Sequence, residues 1–186
     1  MNPILIDGPA VEPVTLAEMK AHLRLDDDAE DDLVAGLVKA ARLMVEAAAR
    51  RILVAQRWRM VLDAWPPGGT VLLPLAPLMA VEGVAVFDAA GTAHPVPAQA
   101  IETDALSDPP RVAVAGAPSP GRPRNGIAID VSVGFGATPD TVPATLRLAV
   151  KIIVAHWFTH RGDMEGLQAL PADALALIAP FQRARL

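Results

Sequence analysis

Apolar residues recur at helical spacing in the first third of the chain. Thr15, Leu16, Ala17 and Glu18 have the pattern of a capping box, in which the threonine hydroxyl and the glutamate carboxylate each accept the other residue's amide. This pattern predicts a short helix that runs to about Leu25. A second, longer helix is predicted after the acidic run at residues 26 to 32, because apolar residues follow it at helical intervals: Leu33, Leu37, Val38, Met44, Val45 and Ile52.

The helical period returns near the end of the chain. It starts after Thr141 and Pro143, where threonine can cap a helix and proline suits its first turn. One apolar stripe consists of Leu146, Val150, Ile153 and Trp157, and further apolar side chains widen it until the helix is apolar nearly all round. Such a helix is buried on most sides, either by its own domain or by a neighbouring subunit. We expect it to end at Gly162 and a last short helix to cover residues 171 to 179.

Between these helices the period is that of strands. Trp58, Met60 and Leu62 alternate with other residues, and further strands are predicted at residues 70–73 and 83–87 and after a turn at 88–92. The clearest strand is 127–135, in which every second residue is apolar: Ile127, Ile129, Val131, Val133 and Phe135. Most prolines fall in this middle region, so we expect residues 109–125 to be a mobile excursion with one short candidate strand at 111–115.

Together these patterns predict an α+β fold: a mainly α-helical bundle with an inserted, loop-rich β-sheet region and an extended C-terminal tail. The predicted divisions are N-terminal helices at 1–55, a β insertion at 56–136, a long helix at 137–170 that packs on the N-terminal helices, and a short helix and tail at 171–186. A chain of 186 residues has the length for one compact domain with such an insertion.

Composition narrows the classes of protein. Apolar residues make up 52% and charged residues 20%, the balance of a globular chain. No apolar run reaches the roughly 18 residues of a membrane span, and the first ten residues lack a signal pattern, so we expect a cytoplasmic protein without a membrane partner. The absence of cysteine excludes disulfides and a thiolate nucleophile. A net charge of -5 with scattered basic residues argues against direct reading of DNA.

The acidic run has two interpretations. Its members are Asp26, Asp27, Asp28, Glu30, Asp31 and Asp32. Acids directly before a helix cap its amides and interact favourably with its dipole. The alternative is a calcium loop or a docking site for a basic partner, but the glycine turn and distal glutamate of a calcium loop are missing in register.

Two histidines near the end of the long apolar run, His156 and His160, have the spacing of a zinc-binding helix. Trp157 occupies the position at which the protease motif carries its glutamate, and His22, His94 or a distant carboxylate would have to supply a third ligand. Glycines 134 and 136 follow a strand but lack the rest of a phosphate loop, which indicates a strand-ending turn. We predict no catalytic residues, no metal site and no cofactor.

Five stretches taken in order resemble one protein family. They are residues 13–26, 56–66, 73–92, 131–163 and 170–186. The family is that of the head-tail connector, or adaptor, proteins of long-tailed phages and of the gene transfer agents derived from them. Phe135 and Phe158 depart from the family pattern, which commonly has tyrosine near these positions, and residues 104–125 have no firm match.

The resemblance implies an assembly of neighbouring copies in a ring, usually of twelve, beneath the portal protein. The stripe of Leu146, Val150, Ile153 and Trp157 would supply ring packing, and the acidic run would line the channel. Phe181 with Arg183 and Arg185 also has the pattern of an interface anchor, although a frayed terminus is the alternative. The resemblance implies that the C-terminal segment docks on the portal through Leu170, Leu175, Ile178, Pro180, Phe181, Gln182, Arg183, Arg185 and Leu186.

These implications define the expected partners and place. The partners are the portal, neighbouring copies and a tail-side neck or stopper protein, and DNA passes through the channel without sequence-specific binding. The place is the neck of a virion or gene-transfer-agent particle that is assembled in the host cytoplasm. We expect the tail to become ordered only on docking. A neck or tail-completion protein one layer below is the alternative in the same class, and a metal-dependent hydrolase that uses His156 and His160 is the alternative in another.

Overall fold

The computed structural model of the chain describes residues 1–160 and 170–182. The chain forms two compact units, and each unit is built from two separate segments. Met1–Gly8 and Ala55–Gly134 form a β unit, and Pro9–Val54 and Phe135–Leu186 form a helical unit. The fold is therefore α+β as predicted, but it is not mainly a helical bundle, because the β unit contains two antiparallel sheets.

Eight strands and four helices occur in the described residues. In chain order they are β1 (Asn2–Asp7), α1 (Leu16–Leu23), α2 (Asp31–Ala49), β2 (Gln56–Leu62), β3 (Thr70–Leu72), β4 (Leu78–Phe87), β5 (Ala93–Pro95), β6 (Ile101–Asp104), β7 (Arg111–Val114), β8 (Ile127–Val133), α3 (Ala144–Thr159) and α4 (Ala172–Ile178). Strands β1 and β6 are the elements that the sequence patterns do not predict.

The larger sheet has five strands in the order β1, β2, β8, β4, β5, with β8 at its centre. Ile127, Ile129, Val131 and Val133 on β8 are all buried, as their alternation predicts. Between them, Asp130 pairs across the ladder with Arg59 of β2, whose Nε and Nη2 atoms each lie 2.7 Å from a carboxylate oxygen. This two-pronged ion pair matches the register of β2 on β8 that the buried alternation sets.

The smaller sheet has the order β3, β7, β6 and includes part of the expected mobile excursion. The loop after β7 also has specific contacts: Trp65 Nε1 donates to the Pro118 carbonyl at 2.8 Å, and the Asn125 amide donates to Asp63 at 2.7 Å. The guanidinium of Arg122 lies 4.1 Å from the centre of the Phe87 ring. The short strand predicted at 111–115 is confirmed as β7, and these contacts hold the rest of the stretch 109–125 against its own unit.

The helical unit has its own apolar core. Buried side chains of all four helices meet there, among them Met19, Val38, Val45, Ile153 and Ile178. The capping box of α1 is confirmed: the Glu18 amide donates to Thr15 Oγ1 at 3.2 Å, and the Thr15 amide donates to the Glu18 carboxylate at 3.0 Å.

The start of α3 differs from the prediction. Thr141 lies in a short 3-10 turn at Pro139–Thr141, and its hydroxyl donates to the Thr138 carbonyl at 2.6 Å instead of capping the helix. Pro143 occupies the capping position of α3. The helix ends at Thr159, and Gly162, the predicted end, lies outside the described residues.

The glycine pair at 134 and 136 belongs to a turn that ends strand β8, as predicted. Gly134 has a φ of 137°, a conformation that side chains rarely adopt. A Cβ atom on Gly136 would lie 2.5 Å from the Thr141 hydroxyl oxygen. The backbone conformation at 134 and the nearby Thr141 side chain at 136 therefore explain why glycine occupies both positions, and neither glycine requires a phosphate ligand. In the described part of the chain, no helix combines the length and apolar character needed to cross a bilayer.

Candidate interaction site

The C-terminal helix α4 is where the docking segment was expected, and the structure divides that segment into covered and exposed side chains. Ile178 has no exposed surface, because it and Ala174 pack into the core of the helical unit. Leu175, on the opposite side of α4, is 42% exposed, and Pro180 and Gln182 are also exposed. Ile178 is thus a core residue and has no surface to offer a partner, which corrects its assignment as a docking contact.

Leu170 and Phe181 are partly buried against the same core. The ring of Phe181 meets that of Phe135 edge to face, with centroids 6.4 Å apart and an angle of 89° between the planes. Residues 170–182 therefore pack on the helical unit, and the expectation that the tail becomes ordered only on docking stays a prediction. The other expected docking residues, Arg183, Arg185 and Leu186, lie outside the described residues.

The apolar stripe of α3 belongs to the core of its own chain. Leu146, Val150 and Ile153 have no exposed surface and Trp157 is nearly covered, because α1, α2 and α4 pack around them. The prediction that this stripe packs against neighbouring copies is therefore wrong. The stripe is buried, as its periodicity indicates, but other helices of the same chain bury it. Leu148 is the most exposed large apolar side chain of α3, at 42%.

The acidic run leads into α2, which begins at Asp31. Asp31 and Asp32 occupy its first turn, where carboxylates interact favourably with the helix dipole. Glu30 stands at the capping position, but its side chain makes no capping hydrogen bond. The dipole part of the prediction thus fits the structure, while the side-chain cap is absent at that position.

Lys20 on α1 forms ion pairs with two members of the run, Asp28 and Asp31, the latter at 2.7 Å. Its hydrogen bond with Asp28 is the main cause that raises the pKa of Lys20, and the same bond lowers the pKa of Asp28. Asp26, Asp27, Asp28 and Asp32 are exposed, and Glu30 and Asp31 are half-buried. The run therefore presents a strongly acidic surface beside one lysine.

The two histidines stack at the end of α3, with ring centroids 4.4 Å apart. The Nδ1 atom of His160 lies 2.8 Å from the His156 carbonyl oxygen and 3.0 Å from the Thr159 hydroxyl. A histidine near a helix C-terminus satisfies carbonyls that the helix leaves open. Within residues 1–160 and 170–182, no group of three or more acidic or histidine side chains is placed to hold a metal ion.

A buried polar network in the helical unit is a feature that sequence reasoning missed. Arg42 of α2 is only 4% exposed, and it donates to Glu12 at 2.7 Å and to Glu46 at 2.8 Å. Glu46 also accepts the Leu53 amide at 3.0 Å. Burial raises the pKa of Glu46, while the Leu53 amide and Arg42 oppose that rise. The i, i+4 spacing of Arg42 and Glu46 was the available signal, but it is equally typical of surface pairs.

The described residues thus offer exposed leucines and an acidic surface, but no metal site. The sequence model described as "Phage gp6-like head-tail connector protein" matches residues 13–88. A comparison with curated protein sequences finds no significant match.

Solved structures give matches over the full length. One is a chain in a structure described as the neck of an empty GTA particle, where GTA denotes gene transfer agent, computed with C6 symmetry. It is 30% identical, with a TM-score of 0.86, and the match covers 100% of this chain and 97% of that one. A chain in a native GTA virion has 30% identity, a TM-score of 0.85 and the same coverage.

A third chain comes from the neck of a native GTA particle computed with C12 symmetry; it is 30% identical, has a TM-score of 0.80, and the match covers 98% of this chain and 97% of that one. The chain belongs to the gp6-like head-tail connector family. It is accordingly a structural protein and not an enzyme.

Proposed function

We propose that the chain is the adaptor that joins the capsid portal to the tail, as one copy in a ring of twelve in the neck of a virion or gene-transfer-agent particle. The observation that carries this proposal is the full-length similarity to chains from GTA necks, one of which was computed with C12 symmetry. A ring of identical chains requires heterologous contacts, in which one surface of each copy meets a different surface of the next.

The portal contact in this proposal is made by the exposed side of α4 and the residues that follow it. Leu175, Pro180 and Gln182 offer exposed surface there, and the sequence continues with Arg183, Arg185 and Leu186. An exposed leucine followed later in the sequence by two arginines is suited to a site that contains an apolar pocket and acidic groups. Leu170 and Phe181 support this surface from beneath by packing on the helical core.

The acidic run supplies the channel lining in this proposal. DNA phosphates are repelled by carboxylates, so a lining of Asp26, Asp27 and Asp32 would allow a duplex to pass without adhering. Replacing all three by asparagine in assembled rings tests this role. We expect the variant rings to retain more DNA duplex at low salt than the original rings do. Equal retention would mean that the acidic run does not line the channel.

Co-sedimentation with purified portal rings tests the adaptor proposal. The full chain is compared with a chain that ends at Gln182 and with Leu175→Ser; ending the chain after Leu170 is unsuitable because it removes the core residue Ile178. Leu148→Ser is the matched control, since Leu148 and Leu175 are both 42% exposed on helices of one unit.

We expect the chain that ends at Gln182 and the Leu175→Ser variant to lose portal binding, and the Leu148→Ser variant to keep it. Unchanged binding by all variants would move the docking site away from the C-terminal segment. Absence of binding by the full chain would favour the alternative of a neck or tail-completion protein one layer below.

A further inference from the structure

Leu106 is the most exposed large apolar side chain in the described residues, at 99%. It lies at the tip of the turn that joins β6 to β7. Single exposed leucines are common on protein surfaces and do not by themselves indicate a site. What distinguishes this one is the construction of the turn that presents it.

Asp104 organises that turn from its base. Its Oδ1 atom accepts the amides of Leu106 at 3.1 Å and Ser107 at 3.0 Å, and its Oδ2 atom accepts the Ser107 hydroxyl. Arg111 closes the base by donating to the Ser107 hydroxyl at 2.6 Å, and its Nε atom lies 3.3 Å from Asp104. The bonds from Ser107 lower the pKa of Asp104, so the carboxylate stays ionised at neutral pH. Leu106 is therefore held at the tip by a preorganised turn.

An apolar cavity of about 570 Å³ lies in the same β unit. Its apolar lining includes Val86, Phe87, Pro95, Val96, Pro97, Ala100 and Ala115. This volume lies within the range of pockets that receive small ligands or side chains, about 300–1,000 Å³. It has room for a leucine together with the residues beside it.

Leu106, which we call the knob, and the cavity lie at opposite ends of the hairpin formed by β6 and β7. Asp104 pairs with Arg111 next to Leu106, and at the other end the Ala115 amide donates to the Ala100 carbonyl at 2.8 Å beside the cavity. The paired strands cover four residues each, so the two ends are about 13 Å apart along the hairpin. Two complementary features at opposite ends of one rigid element are what a head-to-tail contact between identical chains requires.

We propose that Leu106 of each copy inserts into the cavity of the next copy around the ring. This inference deepens the proposed function and relies on its ring of identical chains. A second copy is the occupant because the same chain carries both halves of the contact. The charged residues of the cavity lining, Asp88 and His94, pair with each other at 2.9 Å, which leaves the apolar part of the lining for the entering side chain.

Cross-linking provides a direct test, because the chain contains no cysteine and an introduced pair is the sole source of disulfides. The variant carries Leu106→Cys at the knob and Ser119→Cys at an exposed position in the cavity lining. A disulfide forms only when the Cα atoms come within about 4.4–6.8 Å. The variant is oxidised both free at high concentration and bound to portal rings, and its products are separated without reductant.

We expect a ladder of covalent oligomers from the double variant. Leu106→Cys alone, Ser119→Cys alone and a control pair of Leu72→Cys with Ser119→Cys should give none, since Leu72 is exposed on β3 but is not at the knob. Adding Ala115→Trp, an exposed cavity residue, should abolish the ladder by filling the cavity.

Other outcomes would overturn the inference. No ladder from the double variant, either free or on portal rings that it demonstrably binds, would exclude this contact. Dimers from Leu106→Cys alone would indicate a knob-to-knob contact instead. A ladder formed by a chain that fails to bind the portal would sustain the contact between copies while the proposed adaptor function fails.

Discussion

Phe135 and Phe181 come from distant parts of the sequence and meet edge to face, with their ring centroids 6.4 Å apart. Phe135 directly follows the turn glycine at the end of β8, and Phe181 follows α4. Their contact holds the segment after α4 against Phe135, the first residue of the helical unit's second segment. It accounts for the ordered packing of a segment that the sequence alone presents as a tail.

This contact predicts a measurable coupling between the two rings. Each phenylalanine is changed to leucine singly and then together, and the free energy of unfolding is measured with urea. Edge-to-face pairs contribute about 0.5–1.5 kcal/mol beyond their buried area, so we expect the double change to cost less than the sum of the single changes by that amount. Additive costs would show that the rings do not interact.

Replacement by alanine should affect stability very differently at two positions of α4. Ile178→Ala removes a fully buried side chain, and we expect it to cost about 2–5 kcal/mol of unfolding free energy. Leu175→Ala changes an exposed position and should alter stability by about 0.5 kcal/mol or less. Thermal and urea unfolding of both variants check this contrast, and similar costs would mean that α4 packs differently.

The buried arginine provides a third prediction. Arg42→Met removes the arginine that pairs with both Glu12 and Glu46 in a covered site, and we expect a loss of about 3–5 kcal/mol. Arg57→Met is the control, because Arg57 pairs with Asp7 at 2.8 Å on the surface of the β unit, where such pairs contribute about 0–1 kcal/mol. Equal effects in urea unfolding would contradict the structural role of the network.

The capping box predicts a pH dependence. The Thr15 amide is the main cause that lowers the pKa of Glu18, and Arg147 adds to the effect. A carboxyl group with a lowered folded pKa contributes stability above its ordinary pKa and loses it as the pH falls through the lowered pKa.

We therefore expect the original chain to be more stable than Glu18→Gln at neutral pH. The difference should shrink as the pH falls below about 4.3, the ordinary glutamate pKa, and through the lowered folded pKa. Urea unfolding of both proteins at each pH measures it. A stability difference that stays constant with pH would mean that the charge of Glu18 does not stabilise α1. His22→Gln, an exposed change on the same helix, serves as the matched control.

Local signals predicted elements correctly where the signal and its cause lie in the same segment. The capping box defines the start of α1 because both partners lie three residues apart, and the alternation in β8 predicts the buried strand that the structure contains. Strand β1 escaped prediction because Ile4, Leu5 and Ile6 do not alternate. It forms a strand by pairing with β2, more than fifty residues away in sequence.

The candidate site was less predictable for a related reason. Periodicity along α3 and α4 shows that a stripe is covered, but it does not show whether the same chain or another chain provides the cover. Leu146 and Ile178 were therefore assigned to interfaces although both are core residues. Leu106 carried no local signal either, since the role proposed for it depends on a cavity whose lining comes from several separate segments of the unit.

The assembly of each unit from two separated segments has a consequence for the order of events during synthesis. Ribosomes release the chain from its N-terminus, and strand β8 and helix α3 are encoded late in it. Until they emerge, β1 and β2 lack the central strand, and the buried face of α2 lacks its main cover. Contacts between distant segments also make folding slow. Apolar surface of both units therefore stays exposed until β8 and α3 have emerged, which favours transient contacts with other chains.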